Sequence, residues 1–254
     1  MFKKLAFIAT LIICFVASTA QAKSVLRIGV GNFPPFFVEE NQSGLFLDIT
    51  KSIFQNLPEY EVKFVFMSNS RLQQEINHGK RIDVACNIFK NSNVNAFLSD
   101  PLFRYTDVAV THKSKNIKIN NVGDLTDLSV AAYQGATDLL GYAFKEMAKA
   151  NANYSEHPHP KDTTHLLVTG KKDVRVGDIN IFYHDLGQKP YQSATQNNID
   201  DYSIYYLWPV VYSHMAFKNK GLRDAVNQQI RKLTHDGTFD QIYRKYKQAT
   251  LTHH

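Results

Sequence analysis

The chain has 254 residues, 44% of them hydrophobic, and carries 29 Lys and Arg against 23 Asp and Glu, a formal net charge of +6. The apolar content is that of a globular protein, and a modest basic excess without any run of five Lys or Arg makes no case for nucleic acid as a partner. Two cysteines, Cys14 and Cys86, leave little room for a disulfide framework.

The chain opens with MFKKLAFIATLIICFVASTAQA, in which Lys3 and Lys4 precede an apolar run from Leu5 to about Val16 and small residues close on Ala22. This three-part pattern predicts a secretory signal peptide over residues 1–22, cleaved after Ala22. A run of about a dozen apolar residues is too short for a bilayer core that needs roughly 20. Removing 22 of the 254 residues leaves 232, with two Lys and no acid lost, so the exported chain carries +4. No later run approaches membrane-spanning length, and a soluble monomer is expected. Cys86 then stands alone, and its IDVACNI setting predicts a buried, inert thiol.

VLRIGVG reads as a strand, followed by a Pro- and Asn-rich loop, NFPPFFVEENQSG. Phe46, Ile49, Ile53 and Leu57 then recur at helical spacing, and EVKFVFM alternates as a strand. SRLQQEINHGK predicts a short helix stopped by Gly79, and RIDVACNIF a further strand. Strands alternating with helices imply a parallel-rich sheet wrapped by helices. After DVAVTHKS the pattern starts again. It runs through the strand LSVAAYQG, a helix through DLLGYAFKEMAKA, the weak segment NANYSEHPHP, the helix KDTTHLLVTGKK and the strand DVRVGDINIFY. YYLWPVVYSHMAFK leads to two final stripes, Leu222, Val226, Ile230 and Leu233 before Gly237, then Phe239, Ile242, Tyr243 and Tyr246. Two similar α/β lobes suggest a cleft between them, the usual seat of a small ligand.

The order of words FPPFF, GLFLDIT, GKRIDVA, LSDPL, GAT, GKKDVRVGD and LTHDGTFDQIYRKY resembles the periplasmic solute-binding proteins of polar amino-acid ABC transporters, family 3, from about Val25 to Tyr246. The resemblance implies a two-lobed type II periplasmic binding fold. One lobe would span 23–111 with 208–254 and the other 112–207, closing by a hinge on a small polar or amino-acid-like ligand. It also implies a periplasmic location and an inner-membrane ABC permease as partner. A sensing module for a membrane receptor and a dehydratase-like enzyme are the alternatives on this fold. No nucleophile–base pair is visible, so an enzyme is not expected.

The candidate site residues come from both lobes. Asn32 and Phe33 lie at the mouth of the first strand, where relatives place an aromatic wall for the ligand. Arg71 opens the first-lobe helix, where it could line the cleft or brace the loop. Ala136 and Thr137 open a helix whose free N–H groups suit a carboxylate, or form a plain cap. Asp178 stands where many relatives carry the acid that binds an α-ammonium, with a solvated loop acid as the alternative. Asn87 and Lys90 lie in ACNIFKNSNVNAFL, the segment in which most relatives carry an Arg that grips the α-carboxylate through two parallel bonds. Here that Arg is missing, which places binding of ordinary α-amino acids in doubt. His157 and His159 flank Pro158 without further donors nearby, so neither a metal nor a cofactor is expected.

Overall fold

The computed structural model describes residues 23–188 and 198–251, so the expected signal segment and the terminal His253 and His254 lie outside the described residues. Three parallel strands, β1 Ser24–Val30, β2 Tyr60–Phe66 and β3 Val84–Ile88, begin the first sheet. It is completed by antiparallel β11 Val211–Phe217, which also pairs with the short β4 Phe97–Leu98 and β5 Phe103–Tyr105. The order is β2-β1-β3-β11-β4. All five residues of β3 are buried, as a central strand covered on both faces requires.

One face of this sheet carries α1 Leu45–Phe54 and α7 Lys220–His235, whose predicted stripes pack into a common core with β1 and β3. Each fully buried Phe or Ile there contributes roughly 1.5–3 kcal/mol through lost apolar exposure. Phe46 stacks on Phe36 at 4.2 Å and meets Tyr105 edge-on at 5.2 Å, so its position belongs to the core. The other face is closed by α2 Asn69–Asn77 through Leu72 and Ile76.

The second sheet runs β10-β6-β9-β7-β8. Its strands are β6 Asp107–His112, β7 Val130–Tyr133, β8 Tyr154–His157, β9 Val174–Asp178 and β10 Tyr202–Tyr205. Its faces are covered by α4 Tyr142–Ala150 on one side and by α5 Pro160–Val168 with α6 Ile179–Leu186 on the other. The short α3 Ala136–Leu139 precedes α4.

Several expectations change. β6 pairs with β9 and β10, so the first passage between sheets falls at Thr106, not after residue 111. The chain returns between β10 and β11. DVRVGDINIFY is half strand and half helix: Asp178 caps α6 by accepting from Asn180 N and Ile181 N, and this local capping overrides the β-leaning composition of INIFY. The helix expected through DLLGYAFKEMAKA is interrupted at Gly141, and the weak segment NANYSEHPHP contains edge strand β8.

The terminal helix α8, Thr238–Leu251, packs on α1 and α7 and also on α6 of the second half. Tyr246 donates to Asp48 Oδ2 at 3.0 Å, and Tyr243 accepts from Arg104 N at 2.9 Å. Cys86 is fully buried in β3, and burial pushes its thiol up to about 12.

Candidate functional site

Within each half, parallel strands bring their carboxyl ends to one edge, where ligands of open α/β sheets bind. In the first sheet β1 runs into Asn32 and Phe33, and β3 carries Asn87 near its end and runs into Phe89 and Lys90. In the second, β7 ends at Tyr133 and β9 at Asp178. The segment Tyr105-Thr106-Asp107 joins the two sheets directly, so its side chains serve both.

On the first half, Phe33 is partly exposed and rests on Phe36 and Phe37, each with ring centroids at 5.7 Å. Asn87 adopts a left-handed backbone with φ 61°, and its side-chain oxygen accepts from Tyr105 OH at 2.8 Å and Ser213 Oγ at 2.7 Å. Phe89 is stacked over Tyr105 at 5.7 Å and keeps 37% of its surface open. Together these give an aromatic wall with one amide set into it.

On the second half, Asp107 and Asp178 are paired across β6 and β9. Asp178 is 4% exposed; its carboxylate accepts from Thr106 N at 2.8 Å and from Asn180 N at 2.7 Å, so it fastens the crossing to α6. Burial raises its pKa against the opposing pull of those N–H groups. Asp107 accepts from Tyr133 OH at 3.2 Å, and burial together with the Asp178 charge moves it up to about 6. Tyr133 belongs to β7 and reaches Asp107 across the bare backbone of Gly177 in the intervening β9. A Cβ on Gly177 would lie 3.3 Å from Tyr133 Cδ1.

The remaining expected residues are placed differently. Asn32 is tied to Glu39, donating to Oε2 at 3.1 Å and accepting from the Glu39 N–H at 3.2 Å, so it braces its loop. Arg71 is exposed and pairs with Glu75 along α2 at 2.6 Å. Lys90 is exposed in the turn after β3. Ala136 is buried in the second-half core. The N–H groups expected to await a carboxylate are already engaged: Gly135 N donates to Glu156 Oε2 at 2.7 Å, and Thr137 N and Oγ1 both donate to Glu156 Oε1 at 3.0 Å. An acid of the neighbouring strand β8 therefore fills the place assigned to a ligand.

Tyr105, Asp107, Tyr133 and Glu156 were not legible as site residues. A polar residue opening the apolar strand DVAVTH, and an aromatic directly before QGAT, are the signals that could have singled out Asp107 and Tyr133. Among the described residues no three His, Cys, Asp or Glu converge as metal ligands, and no helix is long and apolar enough to cross a membrane. A groove of about 400 Å³ between α6 and α8 reaches the crossing and is lined by Thr106 and Asn180, by the cations Arg104, Arg244 and Lys247, and by Asp240.

The model of bacterial extracellular solute-binding proteins, family 3, matches residues 26–249. The L-cystine-binding protein TcyJ of Bacillus subtilis (strain 168) is 28% identical over 246 residues, covering 89% of this chain and 84% of that protein. An ancestral arginine-binding protein, solved with glutamine bound, is 25% identical with a TM-score of 0.59, covering 88% of this chain and 98% of its own. An ancestral cationic amino acid solute-binding protein is similar in fold at a TM-score of 0.69 and 20% identity, covering 88% of this chain and 95% of its own.

Proposed function

The chain belongs to family 3 of the bacterial extracellular solute-binding proteins, and we propose from that premise that it captures a small polar solute in the periplasm and delivers it to an inner-membrane ABC permease. The observation that carries this reading is the convergence, around Tyr105-Thr106-Asp107, of Asn87 and Phe89 from one half with Asp107, Asp178 and Tyr133 from the other. A solute touching both halves favours their closed arrangement by its differential contacts, and a permease can read that difference. The N-terminal signal pattern supports export, and the strand pairing of β6 supports a first lobe of residues 23–106 and 208–254.

The experiment is a thermal-shift screen of the chain from residue 23 against amino acids, amines, organic acids and short peptides. A solute at a hundred times its dissociation constant stabilises the folded state by about 2.7 kcal/mol. At least one class should raise the melting temperature and be recovered chemically unchanged. Consumption of the stabilising compound would replace transport binding with catalysis.

A further inference from the structure

The N–H groups at the end of β7, which the family resemblance assigns to a ligand carboxylate, are occupied from within the chain. Glu156 takes both N–H groups and the Thr137 hydroxyl, and Tyr154 OH adds a fourth bond to Oε1 at 2.8 Å. Burial alone would raise the Glu156 pKa, but these donors outweigh it and hold the group below its ordinary range, as a carboxylate. A solute carboxylate could reach the same donors only by displacing Glu156, and would meet its charge on the way.

Among the described residues, the arginines nearest the strand ends are engaged elsewhere. Arg71 pairs with Glu75, and Arg104 lies over the Tyr243 ring at 4.1 Å. Arg175 is fully buried over Phe182, sealed from any solute, and donates to Thr164 Oγ1 at 3.2 Å, although its Nη1 has no hydrogen-bond partner. Lys90, exposed after β3, offers a point charge without the planar fork of a guanidinium. Opposite them stand Asp107 and Asp178, with the Tyr105 and Tyr133 rings alongside and Phe89 stacked on the first of these. Carboxylates flanked by aromatic rings suit a positive charge from both sides, by ion pairing and by attraction to the ring faces.

We propose that Glu156 is a specificity-determining residue that stands in for a ligand carboxylate, so that the solute of this cleft is an organic cation lacking a carboxylate: an amine, diamine or guanidine held against Asp107 and Asp178. This rests on the solute-binding reading above and narrows it to a chemical class.

Matched pairs differing only in the α-carboxylate test it: lysine with cadaverine, arginine with agmatine, and histidine with histamine, each titrated calorimetrically into the protein. At least one amine should bind tenfold or more tightly than its parent amino acid. Glu156→Ala, which frees the Gly135 and Thr137 donors, should raise affinity for that parent amino acid at least tenfold, and Glu156→Gln should shift it the same way if the Ala variant folds poorly. Parent amino acids binding as tightly as their amines, or binding confined to anionic or uncharged solutes of the wider screen, would overturn the inference and leave solute binding standing. No binding by any solute of the screen would overturn the solute-binding reading itself, and this inference with it.

Discussion

Replacing Asp178 separates two tasks that the structure gives to one carboxylate. It caps α6 through Asn180 N and Ile181 N, and it accepts from Thr106 N at the crossing between sheets. Asp178→Ala removes the cap, at a cost of about 0.5–2 kcal/mol, and leaves the Thr106 N–H without its acceptor, at about 1–3 kcal/mol. Burial raises the Asp178 pKa, so its charge is held at some expense, and removing it returns part of the loss. The net destabilisation expected is about 2–3 kcal/mol, or roughly 4–12 °C in melting temperature for a chain of this size. Asp178→Asn keeps one oxygen for the α6 cap, but its amide NH2 cannot accept from Thr106 N, so it should lose about 1–3 kcal/mol while keeping the cap, and it removes the negative charge. Urea unfolding followed by circular dichroism measures both stabilities, and calorimetric titration measures binding of a cationic solute. The Ala variant should be the less stable and non-binding, whereas the Asn variant should exceed it in stability by the retained cap, about 0.5–2 kcal/mol, with affinity reduced at least tenfold. Equal stability of the two variants would refute the capping role, wild-type stability in Asp178→Asn would refute the bracing of the crossing at Thr106, and wild-type affinity in Asp178→Asn would refute the charge role.

Three further outcomes follow from the same geometry. Gly177→Ala would set a methyl 3.3 Å from Tyr133 Cδ1, and the displaced ring should lose its bond to Asp107, weakening solute affinity several-fold; unchanged affinity would remove Tyr133 from the site. With Asp107 near 6 in the folded protein and about 3.9 when unfolded, the folded state holds the extra proton between those values. Stability of the solute-free protein should therefore fall as pH rises through that window, and cation affinity should drop about tenfold from pH 7 to pH 5 as Asp107 protonates. Asp107→Asn should flatten both profiles, and identical slopes in the variant would contradict the assignment. Cys86, buried with its thiol at about 12, should react with a thiol reagent at pH 8 only after unfolding, and native-state labelling at the free-thiol rate would show the first-half core to be open.

The apolar periodicities of α1 and α7 can be read directly from the chain because each stripe faces one continuous core, where position along a helix determines burial. INIFY cannot be assigned that way, since its residue types favour a strand and only the three-dimensional placement of Asp178 at its head turns it into α6. The missing arginine was visible by simple inspection of NIFKNSN. Its counterpart, the occupation of the Gly135 and Thr137 donors by Glu156, was not, because β8 approaches β7 through sheet pairing of residues about twenty apart, and a single acid in NYSEHPH carries no mark of that pairing. Tyr133 and Asp107 were hidden for the same reason: their bond spans an intervening strand and depends on the absence of a side chain at Gly177.

The central claim, that a solute bridges the two halves at their strand ends, is tested most directly by a crystal structure of the protein with the solute that stabilises it most. The solute should touch Asp107 or Asp178 from one half and Phe33, Asn87 or Phe89 from the other. A solute bound in the groove at Arg104 and Lys247, or touching one half alone, would contradict it.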